Sequence, residues 1–236
     1  MKSLRIDVWS DIACPWCYVG KRRLEAALAE FPHREAVQVV WRAFELNPTA
    51  KRILDDGGSY AGRLAKKYGA AVPEAEAMIR RMTSAAAADG LAFHFEKIQP
   101  GNTFDAHRVL HLAAERGVQG AVKERLLRAY MTEGEAIGEP EVLVRLAGDA
   151  GLDPNEVRAM LASDAYGREV RADEQQAREL GIQGVPFFAV GGRYGVSGAQ
   201  PAEALLQVLQ QAWAEAEENP DSPFAEGAVC GPDGCA

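Results

Sequence analysis

The amino-acid sequence predicts an α/β fold in which a long helical segment is inserted between two sheet-forming regions. Strand-like patterns, enriched in β-branched and aromatic residues, occur towards the two ends of the chain. From about residue 59 to residue 180, Ala, Leu, Arg and Glu recur at helical spacing, and no convincing strand pattern interrupts them. The strand-like runs are residues 4–9, 37–44, 185–190 and 193–197.

The first sheet-forming region is predicted to have the order β–α–β. Its opening strand is followed by Pro15, a residue that the first turn of a helix accepts. Residues 18–28 then show helical periodicity up to the break at Pro32. The second region is predicted to be β–β–α, because Gly191-Gly192 suits a tight turn and residues 201–218 have an amphipathic helical pattern.

The domain organisation follows from these patterns. Residues 1–56 and 165–218 are predicted to form one discontinuous domain, and residues 57–164 an inserted helical subdomain. Residues 219–236 are rich in Pro, Gly and Asp, and we expect a mobile tail there. A chain of 236 residues is long enough to bury a full core in this arrangement.

Composition and charge restrict the partners that we expect. Hydrophobic residues at 47% and charged residues at 25% are typical of a globular protein. A net charge of −8 argues against nucleic acid or an anionic membrane as the main partner. No apolar run is long enough to span a bilayer. Residues 1–9 lack the apolar segment of a secretory signal, so we expect a cytoplasmic protein.

The cysteines form two close pairs at opposite ends of the chain, Cys14 with Cys17 and Cys230 with Cys235. Four cysteines are too few for a disulfide-stapled scaffold, and cytosolic thiol pools keep structural disulfides reduced. Redox chemistry and metal binding are the two natural interpretations of such pairs.

The Cys14-Pro15-Trp16-Cys17 motif lies where the first strand ends and the first helix begins. Residues i and i+3 of a first helical turn are close enough for an S–S bond, which requires Cα atoms roughly 4.4–6.8 Å apart. The first cysteine also faces the positive end of the helix dipole, which favours the nucleophilic thiolate. Cys14 would then attack a substrate disulfide, and Cys17 would resolve the mixed disulfide.

Two other interpretations of this motif stay open at the level of the sequence. The first is an incidental pair of buried cysteines. The second is a zinc site, since zinc takes four ligands and the chain has four cysteines. The separation of the pairs and their unequal spacing argue against zinc. His107 and His111 are one helical turn apart, but without a third ligand nearby they predict no metal site.

Gly184-Val185-Pro186 precedes the third strand, where a trans proline in a paired strand would be awkward. A cis Val185–Pro186 bond would resolve this, because cis peptide bonds are nearly confined to proline.

These residues resemble the DsbA-like family of the thioredoxin fold. The sequence is most similar to its FrnE-like branch, which is related to 2-hydroxychromene-2-carboxylate isomerase and kappa-class glutathione transferase. The resemblance implies that Cys14 is the nucleophile, Cys17 the resolving thiol and Pro186 the cis-proline. It also implies that the Val185 backbone pairs with a substrate segment beside Cys14. The matching stretches are residues 10–20, 41–48, 102–108, 181–188 and 197–200.

The sequence departs from its relatives at two positions. The isomerase and transferase relatives carry serine where this chain has Cys14, so Cys14 favours the oxidoreductase over the isomerase. Thioredoxin and DsbA bury a carboxylate six residues before the nucleophile, and here that residue is Val8. Asp11 is a carboxylate closer to the motif, and whether it takes over this role stays open at this point.

The tail sequence suggests a second redox pair. In Gly231–Gly234, Pro and Asp at the central positions suit a type I turn that would bring Cys230 and Cys235 together. Such a pair could exchange with Cys14 and Cys17. The alternative is a tail without a role in the chemistry.

Besides Val185, three residues outside the cysteine pairs are predicted to contact substrate. Pro15 and Trp16 lie between the active cysteines, and Trp16 is expected to be exposed and to contact apolar groups. His107 lies in a stretch that resembles the substrate side of the family's helical insertion, so it is assigned a substrate-lining role.

The predicted function is thiol–disulfide exchange with protein or peptide disulfides, as oxidoreductase or isomerase, without a bound cofactor. Glutathione or a cellular reductase would recycle the dithiol. The main alternative is a glutathione-dependent isomerase or transferase that acts on a small aromatic substrate. A metal-binding or structural module is a third interpretation, from a different class.

We predict that the Cys14/Cys17 couple is less oxidising than that of DsbA. The Pro-Trp dipeptide offers no histidine to stabilise a thiolate, and Val8 replaces the buried carboxylate. Equilibration with glutathione buffers should give a potential clearly below about −120 mV. A value at or above that figure would contradict the prediction.

Overall fold

The computed structural model describes residues 2–54, 57–218, 228–231 and 234–235, with side chains for residues 2–54 and 57–215. The strands are β1 (Leu4–Ser10), β2 (Val37–Ala43), β3 (Phe187–Val190), β4 (Tyr194–Ser197), β5 (Ala228–Gly231) and β6 (Gly234–Cys235). The helices are α1 (Pro15–Glu30), α2 (Tyr60–Tyr68), α3 (Val72–Ala88), α4 (Phe104–Glu115), α5 (Gln119–Arg128), α6 (Pro140–Asp149), α7 (Pro154–Leu161), α8 (Gly167–Glu179) and α9 (Ala202–Glu218). Short 3₁₀ and π turns cover Arg34–Ala36 and Ala129–Glu133.

The described strands form one mixed sheet in the order β2-β1-β3-β4-β5-β6. β1 pairs in parallel with β2, which gives the predicted β–α–β unit with α1 as its crossover. β3 pairs antiparallel with both β1 and β4. The predicted hairpin is confirmed, because Gly191 and Gly192 adopt φ values of +60° and +67° between β3 and β4.

Alternating residues of β1 build the core of the sheet. Leu4, Ile6 and Val8 are at most 2% exposed and belong to one apolar cluster. α1 contributes Leu24 and α9 contributes Leu205 to the same cluster. α1 and α9 therefore pack against the sheet through this cluster.

A buried polar network joins α8 to the strands. The Asp173 carboxylate accepts hydrogen bonds from Arg42 Nη1 and from the backbone N–H of Ala43, each at 2.9 Å. The backbone carbonyl of Asp173 accepts a third hydrogen bond, from Trp9 Nε1 at 2.9 Å. Arg42 also donates to Asp7 at 2.7 Å, so the buried Asp173 charge is both paired and hydrogen-bonded.

The chain divides into two compact units with boundaries after Phe44 and Val170. The predicted helical insertion, residues 57–164, lies wholly inside the second unit. The first unit is Met1–Phe44 with Arg171–Ala236, and the second is Glu45–Val170.

The second unit is wider than the predicted insertion because its flanking segments hydrogen-bond to it. The Leu54 N–H donates to the Pro100 carbonyl at 2.9 Å, and the Asn102 N–H donates to the Lys51 carbonyl at 2.9 Å. At the other flank, Arg108 Nε donates to the Ala165 carbonyl at 2.7 Å. These bonds join residues that are distant in sequence, so local patterns gave no sign of them.

The sequence predicted no strand after residue 218, whereas the structure has β5 and β6 there. β5 pairs in parallel with β4, and β6 pairs antiparallel with β5. The two central residues of the predicted Gly231–Gly234 turn lie outside the described residues.

None of the helices in the described ranges combines the length and the apolar character needed to cross a membrane.

Candidate active site

Cys14 occupies the N-cap position of α1, directly after the loop that follows β1. Its φ and ψ are −97° and 114°, which is extended backbone, and Pro15 takes the first helical turn. No side chain caps this end of α1, and its first turn holds no acidic residue. The dipole of the first turn therefore favours a negative charge on the Cys14 sulfur.

The Cys14-Pro15-Trp16-Cys17 motif combines a reduced, buried dithiol with an exposed aromatic ring. Neither Cys14 nor Cys17 is in a disulfide, and their exposures are 5% and 0%. Trp16 is 39% exposed, as expected from the sequence. Of the two cysteines, only Cys14 is therefore exposed to solvent at all.

The pKa of the Cys14 thiol is lowered from its ordinary value. The main cause is a hydrogen bond from the Cys17 thiol, and backbone N–H groups of Cys17 and Trp16 act in the same direction. Burial and the negative charge of Asp11 raise the pKa and oppose this effect. The net result is a thiol that releases its proton more readily than a free cysteine.

Asp11 is the carboxylate next to this dithiol. It is 1% exposed, and its Oδ1 accepts a hydrogen bond from the Ala13 N–H at 3.4 Å. Val8, at the position where thioredoxin-like relatives carry a carboxylate, is completely buried in the apolar core. The negative charge near Cys14 therefore comes from the loop after β1 and not from β1 itself.

The second half of the site is the segment before β3. The Val185–Pro186 bond is cis, which confirms the sequence prediction. The Cys14 thiol donates to the Val185 carbonyl, with 3.6 Å between sulfur and oxygen. The Gly198 N–H donates to the Pro186 carbonyl at 2.8 Å and ties this segment to the end of β4. The fold thus brings Cys14 and Cys17 together with Val185 and Pro186, which lie about 170 positions further along the chain.

Sequence reasoning missed one neighbour of this site, Gly20 of α1. Its Cα lies so close to Pro186 that a Cβ at position 20 would be 2.8 Å from the proline Cγ. The signal available in the sequence was a glycine inside a helical pattern, which indicates a packing or functional reason.

The remaining predicted site residues lie elsewhere. His107 is in α4 of the second unit and is 1% exposed, and its assignment to substrate lining stays a prediction. Cys230 and Cys235 are cross-strand partners of β5 and β6, and their side chains lie outside the described residues. In the part of the chain that the structure describes, no group of three or more His, Cys, Asp or Glu could hold a metal ion.

The second unit contains a cavity of about 430 Å³, and its lining residues Arg52, Asp105 and Arg108 are paired within the protein. Arg108 donates to the carbonyls of Met160, Ser163 and Ala165 and to the Asp105 carboxylate. The other oxygen of Asp105 accepts from Arg52 at 2.7 Å. These hydrogen bonds form a structural network in the wall of the cavity.

Replacing Cys17 with alanine is expected to raise the pKa of Cys14. The substitution removes the hydrogen bond that contributes most to the low pKa. The pH dependence of iodoacetamide alkylation at Cys14 measures this pKa. Asp11→Asn is the opposing control, because loss of its negative charge should lower the pKa. A Cys17→Ala variant that titrates at or below the wild-type pH would contradict this account.

The same shift gives the stability of the reduced protein a defined pH dependence. Since the folded pKa of Cys14 is below the unfolded value, this thiol stabilises the folded state above the unfolded pKa. That contribution is lost as the pH falls through the folded pKa. In Cys17→Ala the free energy of unfolding should depend less on pH, because the pKa of Cys14 is expected to be closer to its unfolded value. Urea unfolding of the reduced protein across this pH range measures the change.

Comparison with known proteins agrees with this geometry. A probable DsbA oxidoreductase, SCO1869 from Streptomyces coelicolor, has a crystal structure that is 47% identical and covers 99% of this chain and 98% of its own, with a TM-score of 0.85. Protein YwbO of Bacillus subtilis is 28% identical over 194 residues, which are 80% of this chain and 88% of YwbO. A structure of 2-hydroxychromene-2-carboxylate isomerase is 14% identical, covers 92% of this chain and 100% of its own, and has a TM-score of 0.63, which shows a shared fold.

The sequence model of one protein family, the DSBA-like thioredoxin domain, matches residues 5–210, which are most of the chain. The thioredoxin fold expected from the sequence is thereby confirmed, with a helical unit inserted between its β–α–β and β–β–α parts. This chain belongs to the DSBA-like thioredoxin domain family.

Proposed function

We propose that the protein exchanges disulfides with protein or peptide substrates through Cys14 and Cys17. The observation that carries this proposal is a reduced Cys14 thiol of lowered pKa at the uncapped N-terminus of α1. Similarity to a probable DsbA oxidoreductase at 47% identity supports it.

The reaction begins with the Cys14 thiolate. It attacks one sulfur of the substrate disulfide, which forms a Cys14–substrate disulfide and releases the other substrate sulfur as a thiolate that takes up a proton. The Cys17 thiol then loses its proton and attacks the Cys14 sulfur. The second substrate thiol leaves, and a Cys14–Cys17 disulfide remains. The substrate gains two electrons from the dithiol, and the reverse sequence oxidises a substrate dithiol.

Substrate binding is proposed to use the surface around the Cys14 sulfur. Trp16 offers an exposed apolar ring beside Pro15, and the Val185 backbone lies within hydrogen-bond reach of the sulfur. An extended peptide paired with that backbone would present its disulfide to Cys14. Glutathione or a cellular reductase is proposed to recycle the dithiol.

The proposed function predicts opposite behaviour for two serine variants in an insulin-disulfide reduction assay. Cys14→Ser should reduce the rate to the uncatalysed background, because the attacking thiolate is gone. Cys17→Ser should accumulate a mixed disulfide with the substrate, because no thiol is present to resolve it. Non-reducing mass spectrometry detects this species and locates the bond at Cys14.

An alternative function has its own outcome in the same experiment. The fold shared with 2-hydroxychromene-2-carboxylate isomerase allows a glutathione-dependent isomerase or transferase for a small aromatic substrate. This alternative would replace the proposed function if the wild-type protein binds glutathione but leaves insulin intact, and if the Cys17→Ser variant forms no mixed disulfide.

We further propose that Cys230 and Cys235 form a second redox pair that exchanges with Cys14 and Cys17. Their Cα atoms are direct cross-strand partners in β5 and β6. Directly paired antiparallel residues have Cα atoms roughly 4.5–5.5 Å apart, which overlaps the range of a disulfide. The exchange would transfer two electrons from one dithiol to the other disulfide.

The double variant Cys230→Ser/Cys235→Ser tests this pair. It should slow insulin reduction, and Cys17→Ser protein with an intact tail should yield a disulfide between Cys14 and a tail cysteine. Unchanged rates together with no such crosslink would end the idea of a second redox pair, while leaving the role of Cys14 and Cys17 intact.

A further inference from the structure

The contact between α1 and Pro186 exists only because position 20 carries no side chain. A Cβ at Gly20 would lie 2.8 Å from Pro186 Cγ, 3.4 Å from Pro186 Cβ and 3.2 Å from Phe188 Cζ. Real Cβ atoms essentially never approach another heavy atom closer than 3.0 Å. Any other amino acid at position 20 would therefore displace one of these neighbours.

The backbone of α1 does not itself require glycine here. Gly20 lies inside the helix, and it is absent from the residues with positive φ. In a helix interior glycine is less favourable than alanine, because it loses more conformational freedom on folding. The close approach of Pro186 is thus the structural reason for a glycine at this position.

Of the two neighbours, Pro186 makes the closer contact and would have to move further, since its Cγ is at 2.8 Å and Phe188 Cζ at 3.2 Å. Phe188 is completely buried in the core, and it pairs with Val8 in the register of β1 and β3. Pro186 precedes β3. To reach an ordinary contact of 3.4 Å from 2.8 Å, the proline ring would have to move by about 0.6 Å, the difference between these distances.

Pro186 is bonded directly to the group that contacts the reactive sulfur. The Val185 carbonyl accepts the hydrogen bond from the Cys14 thiol at 3.6 Å, which is already a long contact. A displaced Pro186 would carry this carbonyl with it. The spacing between α1 and the segment before β3 therefore controls the geometry at Cys14.

We propose that Gly20 is a positioning residue for disulfide exchange, which lets α1 lie against Pro186 and thereby holds the Val185 backbone beside the Cys14 sulfur. The proposal rests on the proposed function of Cys14 and Cys17. Gly20 touches no reacting atom and acts through Pro186. Its effect is on alignment, since a peptide paired with Val185 must present its disulfide in line with the sulfur.

The test is Gly20→Ala, measured in two independent ways. The kcat/KM for insulin reduction should fall about tenfold to a hundredfold, as a displacement below 1 Å at a reacting centre can produce. The pKa of Cys14 should also fall, because the hydrogen bond to the Val185 carbonyl stabilises only the protonated thiol.

Gly120→Ala is the matched control. Gly120 lies in helix α5 and is exposed. A Cβ added at this position would have no heavy atom within 4 Å, apart from the neighbouring residues and the backbone of its own helix. The same change of residue in a helix should leave kcat/KM and the Cys14 pKa at wild-type values and slightly raise the melting temperature.

A double-mutant cycle with Pro186→Ala shows whether Gly20 acts through the proline. Loss of the ring removes Cγ, the closest atom, so Gly20→Ala should have a much smaller effect on the Cys14 pKa in that background. Equal effects in both backgrounds, or a wild-type pKa and kcat/KM in Gly20→Ala, would overturn the proposal.

If Gly20→Ala does not fold, the double variant Gly20→Ala/Pro186→Ala should fold, and its failure to do so counts against the proposal. If wild-type protein does not reduce insulin, the proposed function fails. The Cys14 pKa in the two glycine variants still tests Gly20 separately.

Discussion

The position of Cys14 at the start of α1 is the constraint on which the rest of the site depends. The sulfur of Cys14, the N-cap residue of this helix, lies where the backbone N–H groups of Trp16 and Cys17 favour its negative charge. Negative charge on that sulfur is stabilised there and by the Cys17 thiol, against the cost of burial and the charge of Asp11. The balance gives a thiol that ionises readily while it stays largely shielded from solvent.

The sheet supplies the two halves of the site from adjacent strands. β1 leads into Cys14, β3 begins directly after Pro186, and the two strands pair antiparallel. The buried Asp173 carboxylate fastens α8 to β2, and α8 leads into the segment that ends at Pro186. On the other side, Gly20 allows α1 to approach the same segment. The position of the Val185 carbonyl thus depends on packing from two directions.

The placement of the acidic group distinguishes this site from the thioredoxin arrangement. Val8 is part of a continuous apolar cluster, where an unpaired carboxylate would be costly to bury. Asp11 lies in the loop after β1, where the Ala13 N–H donates to its carboxylate. Its charge raises the pKa of Cys14, which is consistent with a milder oxidant.

The sequence by itself determined the elements that depend on neighbouring residues: the period of β1 and α1, the Cys14–Cys17 spacing, the Gly191-Gly192 turn and the proline before β3. These follow from local geometry, which a short stretch of chain specifies. Only the tertiary structure decided the unit boundaries, the addition of β5 to the sheet, and the contact of Gly20 with Pro186. Each of these depends on residues far apart in the chain, whose meeting is set by packing of the whole core, so no local pattern could reveal them.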